Sequence, residues 1–351
     1  MKKIFARIGI CFAASLLCIV IIFFSAVAMI NYGPSPAARG LFVNTVLETS
    51  AAKFLATWFF SDEKLAEIVK NNNVEEDDGV TNSSLIRIEP DANFNAIKTD
   101  KDTPFGSYID IKDFENSSTD KEESEDAIQV YDVKGATYIG KMMVVKDPSR
   151  VFVGVSGDYG EGKDGKTVSE LVKKYDAEVG INGGGFSDPG GVGTGGIPTG
   201  IVISEGKLLW GESGVKSNLI GFTNDNVLVV GKMTPEAAVA QGVRDAVSFG
   251  PVLIKDGKAS AISGSGGGLN PRTAIGQRRD GAVLLLVIDG RQPSSLGANY
   301  GDIIEVMLSY GAVNAANLDG GNSTCMYYQG GYINNASYYL RTIPTGILVR
   351  K

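Results

Sequence analysis

Histidine is absent from the 351-residue chain, and cysteine occurs only three times. The absence of histidine excludes His-dependent nucleophilic triads, His-ligated zinc sites and an imidazole general base. Cys11 and Cys18 lie inside a long apolar run, so Cys325 is the one cysteine beyond it. Neither an intramolecular disulfide nor a cysteine-based zinc cluster is therefore expected outside that run. Catalysis, if the chain performs any, must use carboxylates, hydroxyls, amides, lysine, arginine or a hard metal ion.

The chain also lacks an excess of basic charge. Its formal net charge is −7, and most of it comes from residues 71–127, which carry 16 acidic and 5 basic side chains. Residues 128–351 carry 20 acidic and 21 basic side chains. A nucleic-acid partner is not predicted, because a broad binding surface for nucleic acid needs surplus basic charge. The acidic segment 71–127 predicts a flexible, self-repelling linker.

Residues 8–30 form an uncharged, mostly apolar run that follows Lys2, Lys3 and Arg7. A helix of that length extends ~35 Å and is long enough to cross a membrane. The apolar run of a cleaved signal peptide is shorter, roughly 7–15 residues, but the small residues 26–28 resemble a cleavage site, so cleavage remains an alternative. The preceding basic residues predict a cytoplasmic N-terminus and an exported remainder. Residues 1–31 are therefore predicted to be a transmembrane signal anchor, in contact with the membrane through residues 8–30.

Residues 32–70 are predicted to be an amphipathic juxtamembrane segment. It begins with a helix break at Gly33-Pro34-Ser35-Pro36 and continues as helix over about residues 40–70. An aromatic patch within it includes Phe54 and Trp58, followed by Phe59 and Phe60. The patch predicts a helix that lies on the outer leaflet with its aromatic side down, and a helix that binds a protein partner is the alternative.

Residues 128–351 are predicted to form the catalytic domain. Many short β-rich runs are interrupted by helices predicted at Thr167–Tyr175, Thr234–Gln241 and Asp302–Tyr310. Many strands with few helices favour an α+β fold with a mixed, largely antiparallel sheet core and a few flanking helices. The single transmembrane helix precedes this domain.

Polar, glycine-rich segments follow several of the predicted strands. Asn182 opens one of these segments, with Gly183 and Gly184 directly after it, where backbone N–H groups can face a ligand. Asp289 ends the apolar run 283–288, and Asp319 ends the run 313–318. A carboxylate at the end of a buried strand is desolvated unless it is paired, which tunes its pKa for acid or base chemistry. Each segment also has an ordinary structural explanation when it is taken alone, such as a flexible loop, a surface ion pair or an Asp-Gly turn.

The conjunction of these segments is more specific than any one of them. The order NGGGF, NPRTAIG, VIDGR and NLDGGNST, followed by a final strand from Arg341, resembles the phosphodiester glycosidase family over roughly residues 151–350. The resemblance implies cleavage of a glycosidic bond at a sugar 1-phosphate. The disulfides of the animal members of this family have no counterpart in this chain.

Glycosidic cleavage usually needs two carboxylates, and Asp289 and Asp319 are the predicted catalytic pair. The other predicted site residues bind the substrate: the arginines neutralise its phosphate, and the polar residues and glycines hold the sugar and the phosphate oxygens. They are Asn182, Gly183, Gly184, Arg272, Arg291, Asn322, Ser323, Thr324 and Arg341. No cofactor and no metal ligand are predicted.

The predicted function is an extracytoplasmic hydrolase that acts on a carbohydrate phosphodiester in a cell-envelope glycopolymer or glycolipid. Two other classes stay open at this point. A non-catalytic module that binds anionic envelope polysaccharide would have similar segments. A metal-dependent phosphodiesterase would use Asp289 and Asp319 as ligands, although the chain lacks the dense acidic cluster of a two-metal site.

Overall fold

The computed structural model describes residues 2–49, 51–76, 78–88, 128–335 and 340–351. The helices are α1 (Lys2–Tyr32), α2 (Pro36–Leu47), α3 (Phe54–Thr57), α4 (Asp62–Lys70), α5 (Val168–Lys174), α6 (Pro235–Ala240) and α7 (Tyr300–Ser309). The strands are β1 (Ile128–Lys134), β2 (Ile139–Val145), β3 (Val151–Val155), β4 (Ala177–Asn182), β5 (Val202–Ser204), β6 (Lys207–Trp210), β7 (Ser217–Thr223), β8 (Leu228–Met233), β9 (Val243–Ser248), β10 (Val252–Lys255), β11 (Lys258–Ala259), β12 (Arg272–Arg278), β13 (Val283–Ile288), β14 (Ala312–Leu318), β15 (Met326–Tyr328), β16 (Gly331–Tyr332) and β17 (Thr345–Arg350). The chain divides into a helical unit, Met1–Asn73 with Ser263–Gly268, and a β-rich unit, Val74–Ile262 with Leu269–Lys351.

The helical unit consists of α1 and three short helices rather than one long juxtamembrane helix. Over Arg7–Tyr32, α1 has a mean hydropathy of 2.8 and is long and apolar enough to cross a membrane, a property that signal sequences share. Pro36 starts α2 behind the N-cap Ser35, and Ser61 caps α4. The small core of the unit includes Val43, Ala56 and Leu65. Helices α2 to α4 replace the single helix that was predicted over residues 40–70.

The β-rich unit contains three antiparallel sheets. The largest has seven strands in the order β1-β2-β13-β12-β14-β10-β11. Two five-stranded sheets have the orders β16-β15-β4-β17-β3 and β6-β5-β9-β7-β8. The main core lies between one face of the large sheet and the two smaller sheets, where the side chains of Leu285, Leu318 and Ile181 are buried together.

Helices cover the outer faces of the sheets. Met307 of α7 packs on the other face of the seven-stranded sheet, and Leu171 of α5 packs on the sheet that contains β4. All six residues of β13 are buried, as expected for a strand covered on both faces. These layers confirm the predicted α+β class with a largely antiparallel core.

Two of the three predicted helix starts in this unit are confirmed. Thr167 forms a capping box with Glu170, and Thr234 caps α6 with Pro235 at the first helical position. The third helix, α7, begins at Tyr300, two residues before the predicted start. Its N-cap is Asn299, which forms a capping box with Asp302, so the carboxylate predicted to open the helix is its third residue.

Part of the predicted linker 71–127 is packed against the β-rich unit. Val74 pairs with Ile262 and Val80 with Gly231 in isolated β-bridges. The side chain of Ile86 is also buried. The linker boundary is corrected accordingly, because residues 74–76 and 78–88 make ordered contacts within this unit. Residues 77 and 89–127 of the predicted linker lie outside the described residues.

Candidate active site

Strand register brings the two predicted catalytic carboxylates to one edge of the seven-stranded sheet. Ile288, at the end of β13, pairs with Arg272 at the start of β12. Leu318, at the end of β14, pairs with Thr273 on the other side of β12. Asp289 and Asp319 therefore leave the sheet at the same edge, with β12 between them. Neighbouring strands lie about 4.8 Å apart, so the two backbones are separated by roughly 10 Å.

The backbone around Asp319 is fixed by the end of β4. The main-chain N–H of Asp319 donates to the Gly183 carbonyl oxygen at 3.1 Å. The side-chain amide of Asn182 donates to the Asp319 carbonyl oxygen at 2.5 Å. Because both contacts come from the fully buried end of a neighbouring strand, the position of Asp319 is set by the core.

The carboxyl group of Asp319 is only partly satisfied. Its Oδ1 accepts the N–H of Gly320 at 2.9 Å. Its Oδ2 is buried and has no hydrogen-bond partner among the described residues. Burial raises the pKa of Asp319 to about 6, and the hydroxyl of Ser323, the Gly320 N–H and the charge of Arg341 oppose that rise. A carboxyl group with a pKa near neutrality is suited to proton transfer at physiological pH.

Arg341 forms an ion pair with Asp188, a residue that the sequence analysis did not select. The Arg341 guanidinium donates two hydrogen bonds to the Asp188 carboxylate, at 2.6 and 2.8 Å, and its carbon lies 4.9 Å from the centre of the Phe186 ring. Both charges act on Asp319: Arg341 lowers its pKa and Asp188 raises it. Asp188 precedes Pro189 and Gly190 in the glycine-rich segment, a pattern typical of a turn, and this concealed its role.

A second arginine lies over the Asp-Gly-Gly turn that follows β14. Arg291 Nη1 donates to Asn322 Oδ1 at 3.0 Å, and Nη2 donates to Asn270 Oδ1 at 3.1 Å. A Cβ built on Gly321 would lie 3.3 Å from Nη2, so the guanidinium rests directly over that turn. Arg291 and Asn322 are exposed. The structure therefore brings Arg291 together with the segment that carries Asp319.

Ser323 and Thr324 are buried beneath the same turn. The hydroxyl of Ser323 lowers the pKa of the Asp319 carboxyl group. Thr324 Oγ1 and Asn270 Nδ2 are buried polar atoms without a hydrogen-bond partner in the described part of the chain. Buried polar groups of this kind are uncommon and are often completed by a ligand or by water. Asn270 stands in the NPRTAIG segment, but its position just before Pro271 did not mark it as a site residue.

Asp289 lies in different surroundings from Asp319. Its side chain is buried, and Oδ1 accepts the amide of Asn334 at 3.0 Å. Ser295 Oγ donates to its carbonyl oxygen at 2.6 Å. The carboxylate lines a cleft of about 500 Å³ whose walls include Lys141 and Tyr332. Each of the two carboxylates thus has its own set of partners.

Arg272, which was predicted to bind the phosphate, packs against α7 in this structure. Its side chain is buried, and the guanidinium carbon lies 4.4 Å from the centre of the Tyr300 ring on α7. Nη1 donates to the Tyr300 hydroxyl at 3.2 Å, and Nε donates to the Ala298 carbonyl oxygen at 3.2 Å. Arg272 shares its sheet face with Ala274, which packs in the core under α7. Its guanidinium therefore contributes to packing between α7 and the sheet.

The segment from Asn182 to Gly184 lies beneath the site and does not present its polar groups to a ligand. The Asn182 side-chain oxygen accepts the hydroxyl of Thr273 at 2.8 Å and the N–H of Cys325 at 3.2 Å. The N–H groups of Gly183 and Gly184 donate to Thr345, at 3.0 Å each. A Cβ on Gly183 would lie 2.7 Å from Thr345 Oγ1, so the glycine permits a close approach of β4 and β17. In this structure the two N–H groups that were predicted to hold the phosphate thus have protein partners.

The described residues contain no group of three or more cysteine, aspartate or glutamate side chains placed to hold a metal ion. The site consists of a buried carboxyl group at Asp319, two arginines beside it and polar side chains on the following turn. This combination fits the binding of an anionic ligand beside a group that can transfer a proton.

The fold is shared with a solved relative. The catalytic domain of zebrafish N-acetylglucosamine-1-phosphodiester alpha-N-acetylglucosaminidase, auto-inhibited by its pro-peptide, superposes with a TM-score of 0.53 at 23% identity. The match covers 64% of this chain and 82% of the zebrafish chain. At that identity the likeness establishes the fold alone.

Sequence comparison gives the family. A sequence profile of the phosphodiester glycosidase family matches residues 175–350, half of the chain. The chain belongs to the phosphodiester glycosidase family, as its motifs predicted.

It is 33% identical over 183 residues to the SPbeta prophage-derived uncharacterized protein YomE of Bacillus subtilis, covering 49% of this chain and 27% of YomE. It is 28% identical over 182 residues to human N-acetylglucosamine-1-phosphodiester alpha-N-acetylglucosaminidase, covering 47% of this chain and 34% of the human protein. The chain thus matches only about a third of the length of these curated relatives.

Proposed function

We propose that the β-rich unit hydrolyses the glycosidic bond of a sugar 1-phosphodiester and that Asp319 is its principal catalytic carboxylate. The observation that carries this proposal is the Asp319 Oδ2 atom, which is buried without a partner among the described residues at the end of β14. A free carboxylate oxygen in a low-dielectric position, with a pKa of about 6, is ready to take a proton or to stabilise positive charge. Family membership supplies the reaction class.

In the proposed reaction, water attacks the anomeric carbon of the sugar as the bond to the bridging oxygen breaks. The electron pair of that bond leaves with the phosphate, which is a good leaving group without strong acid catalysis. Ionised Asp319 accepts the proton of the attacking water and faces the positive charge that develops on the sugar ring. Asp289, at the same sheet edge, is the proposed second carboxylate.

The proposed phosphate contacts come from Arg291 and Arg341. Arg291 is exposed over the turn that follows Asp319, and Asn322 beside it offers an amide to sugar hydroxyls. Arg341 is held by Asp188, whose carboxylate occupies the two donors that a phosphate would use. The substrate phosphate takes the place of Asp188 on Arg341, which opens the way to Asp319 Oδ2. Asn182 positions Asp319 from below.

The proposed substrate is a phosphodiester-linked sugar of a cell-envelope glycopolymer or glycolipid. The human relative is named for N-acetylglucosamine 1-phosphodiesters, which makes that sugar the first to test.

Lys2, Lys3 and Arg7 stand before the apolar span of α1, so the proposed topology has the N-terminus in the cytoplasm and the β-rich unit outside. Protease added to intact cells that express the chain should then digest the β-rich unit. Complete protection would contradict this topology.

The decisive experiment uses full-length protein, an N-acetylglucosamine 1-phosphodiester and water enriched in oxygen-18. Glycosidic cleavage puts the heavy oxygen on the sugar, whereas a phosphodiesterase puts it on the phosphate. Binding without turnover would favour a polysaccharide-binding module instead. Asp319→Asn is the inactive control, and Asp176→Asn, at an exposed turn, is the matched control that should keep full turnover.

A further inference from the structure

The last part of α1 belongs to the folded helical unit. The Phe24 ring of α1 stacks on Trp58, with the ring centres 5.9 Å apart and the planes 13° from parallel. Val27 is 4% exposed. Asn31 is fully buried and its side-chain amide donates to the Leu55 carbonyl oxygen at 3.2 Å. From Phe24 onward, α1 is therefore a structural element of this unit and not a separate rod.

Two aromatic side chains of this unit lie on its surface. Trp58 is 69% exposed and Phe54 is 37% exposed, with their ring centres 4.9 Å apart. The neighbouring Phe59 and Phe60 instead contact Tyr32 at the end of α1, at 5.9 and 5.8 Å. The predicted aromatic patch is thus divided: Phe59 and Phe60 are half-buried against the end of α1, and Phe54 and Trp58 remain exposed beside the apolar surface of α1.

The position of Trp58 along α1 indicates how deeply its side chain lies in the membrane. Phe24 precedes Tyr32 by eight residues, which corresponds to about 12 Å along a helix axis. Exposed tryptophan beside a membrane-spanning helix is favoured at the boundary between hydrocarbon and headgroups. From Ile4 to Phe24 the helix extends ~30 Å, which matches the hydrocarbon thickness of ~30 Å, and the long side chain of Arg7, about one turn inside the span, can extend back to the headgroups. A boundary at Phe24 therefore leaves a span of suitable length.

Polar groups at the end of α1 favour the same boundary. Arg39 Nε donates to the Asn31 carbonyl oxygen at 2.6 Å, and Nη2 donates to the Gly33 carbonyl oxygen at 2.7 Å. If the hydrocarbon layer reached Tyr32, the Arg39 charge would lie at its edge and the buried Asn31 inside it. Both are costly in lipid and inexpensive among headgroups.

We propose that Phe54 and Trp58 insert into the lipid leaflet on the C-terminal side of α1, at the level of Phe24, and that α1 remains attached as an anchor. The occupant of this aromatic surface is the bilayer, because the surface is continuous, through the Phe24–Trp58 stack, with the exposed apolar side of α1, the helix that the proposed topology places across the membrane. Cleavage after Ala28 would remove Phe24 and Val27 from the unit that they complete. The residues of α1 after Phe24 then stand among the headgroups.

The chain contains two tryptophans, Trp58 and Trp210, which makes the depth measurable. The full-length Trp210→Phe variant, reconstituted into phosphatidylcholine vesicles, carries Trp58 as its single fluorophore. We expect lipids brominated at carbons 6 and 7 to reduce its emission at least about twofold, and lipids brominated at carbons 11 and 12 to reduce it less. The Trp58→Phe variant gives the background from Trp210. Mass spectrometry of the membrane-bound protein is expected to find α1 intact.

Each other outcome overturns the proposal. Stronger quenching by the bromines at carbons 11 and 12 would place Trp58 inside the hydrocarbon layer and contradict a membrane boundary at Phe24. Quenching by aqueous iodide with none by brominated lipids would place the aromatic pair in water, and protection from both would show that protein covers it. An N-terminus at Met29 would show that the helix is cleaved.

Discussion

The side-chain amide of Asn182 donates a hydrogen bond to the main-chain oxygen of Asp319 over 2.5 Å. The oxygen of the same amide accepts from Thr273 and from the N–H of Cys325. One buried asparagine at the end of β4 therefore joins the start of β12, the end of β14 and the approach to β15. The residue that was predicted to hold the sugar thus holds the main chain of Asp319 from below.

Replacing Asn182 with aspartate tests that role. Asn182→Asp puts a carboxyl oxygen against the Asp319 carbonyl oxygen and leaves a buried acceptor unpaired. The free energy of unfolding should fall by about 2–4 kcal/mol, and turnover should fall with it. Denaturant unfolding at neutral pH measures this effect. Asn224→Asp, on the surface, is the control and should change stability by less than about 0.5 kcal/mol; equal loss in both variants would contradict the assignment.

The pH dependence of activity follows from the carboxyl group of Asp319. Because its pKa is about 6 and the ionised form is the active one, kcat/KM should fall as the pH drops below 6. Asp319→Asn should reduce turnover by at least ~10²-fold and remove this limb. Asp289→Asn should reduce turnover and keep the limb. A rate that instead falls above pH 6 would make Asp319 a general acid.

The same pKa shift predicts an effect on stability with a defined sign. The folded protein retains the Asp319 proton up to about pH 6, whereas the ordinary pKa of the side chain is 3.8. The stability from this group is therefore complete below about pH 4 and is lost as the pH rises through 6. Asp319→Asn should be more stable than the wild type at pH 7 and should show a smaller slope between pH 4 and 6. Thermal unfolding at several pH values measures the difference.

Asp188 and Arg341 should move the acid limb of kcat/KM in opposite directions. Asp188→Asn removes a negative charge that raises the pKa of Asp319, so the limb should shift to lower pH. Arg341→Gln removes a positive charge that lowers that pKa, so the limb should shift to higher pH, and KM should rise with the lost phosphate contact. Identical shifts in both variants would show that loop distortion, and not charge, is responsible.

Much of the fold follows from local patterns. Six consecutive apolar residues predict β13 as a strand covered on both faces, and Thr167 and Thr234 predict two helix starts, because these signals are contained in a few adjacent residues. The location of Asp319 at a strand end is equally local. The raised pKa of Asp319 cannot be read from adjacent residues, because the elements that bury its carboxyl group are distant in the sequence.

The errors concern residues whose roles depend on register. Arg272 and Thr273 are adjacent in the chain, yet they face opposite sides of the sheet, one towards α7 and the other towards Asn182. A motif shows both residues but not the face that each one takes. Asp188 was missed because its partner Arg341 lies in the last fifth of the chain.

Arg272 tests this distinction between a ligand-binding and a packing arginine. Arg272→Ala removes the contact with the Tyr300 ring and two hydrogen bonds to the loop and helix α7. Stability should fall by about 2–4 kcal/mol, with KM nearly unchanged in the fraction that remains folded. Arg291→Ala is the matched comparison. Loss of this exposed arginine should raise KM with little change in melting temperature. The reverse pattern would return Arg272 to the phosphate site.

The boundary of the β-rich unit supplies the last prediction. The N–H of Thr81 donates to the Val230 carbonyl oxygen at 3.1 Å, and the N–H of Val230 donates to Thr81 Oγ1 at 3.0 Å. The segment that contains Thr81 therefore continues the sheet beyond β8. A protein that starts at Ile128 loses this segment and exposes the N–H and carbonyl groups of β8, whereas one that starts at Val74 keeps it.

We expect residues 74–351 to unfold cooperatively and at a clearly higher temperature than residues 128–351. Thr81→Val isolates one contact in the longer protein: it keeps the shape of the side chain, leaves the buried Val230 N–H without an acceptor and should cost about 1–3 kcal/mol. Thr81→Ser retains the acceptor and should cost less. Equal melting temperatures for the two proteins, with no effect of Thr81→Val, would show that the β-rich unit begins after the acidic segment and that residues 74–88 rest on it without stabilising it.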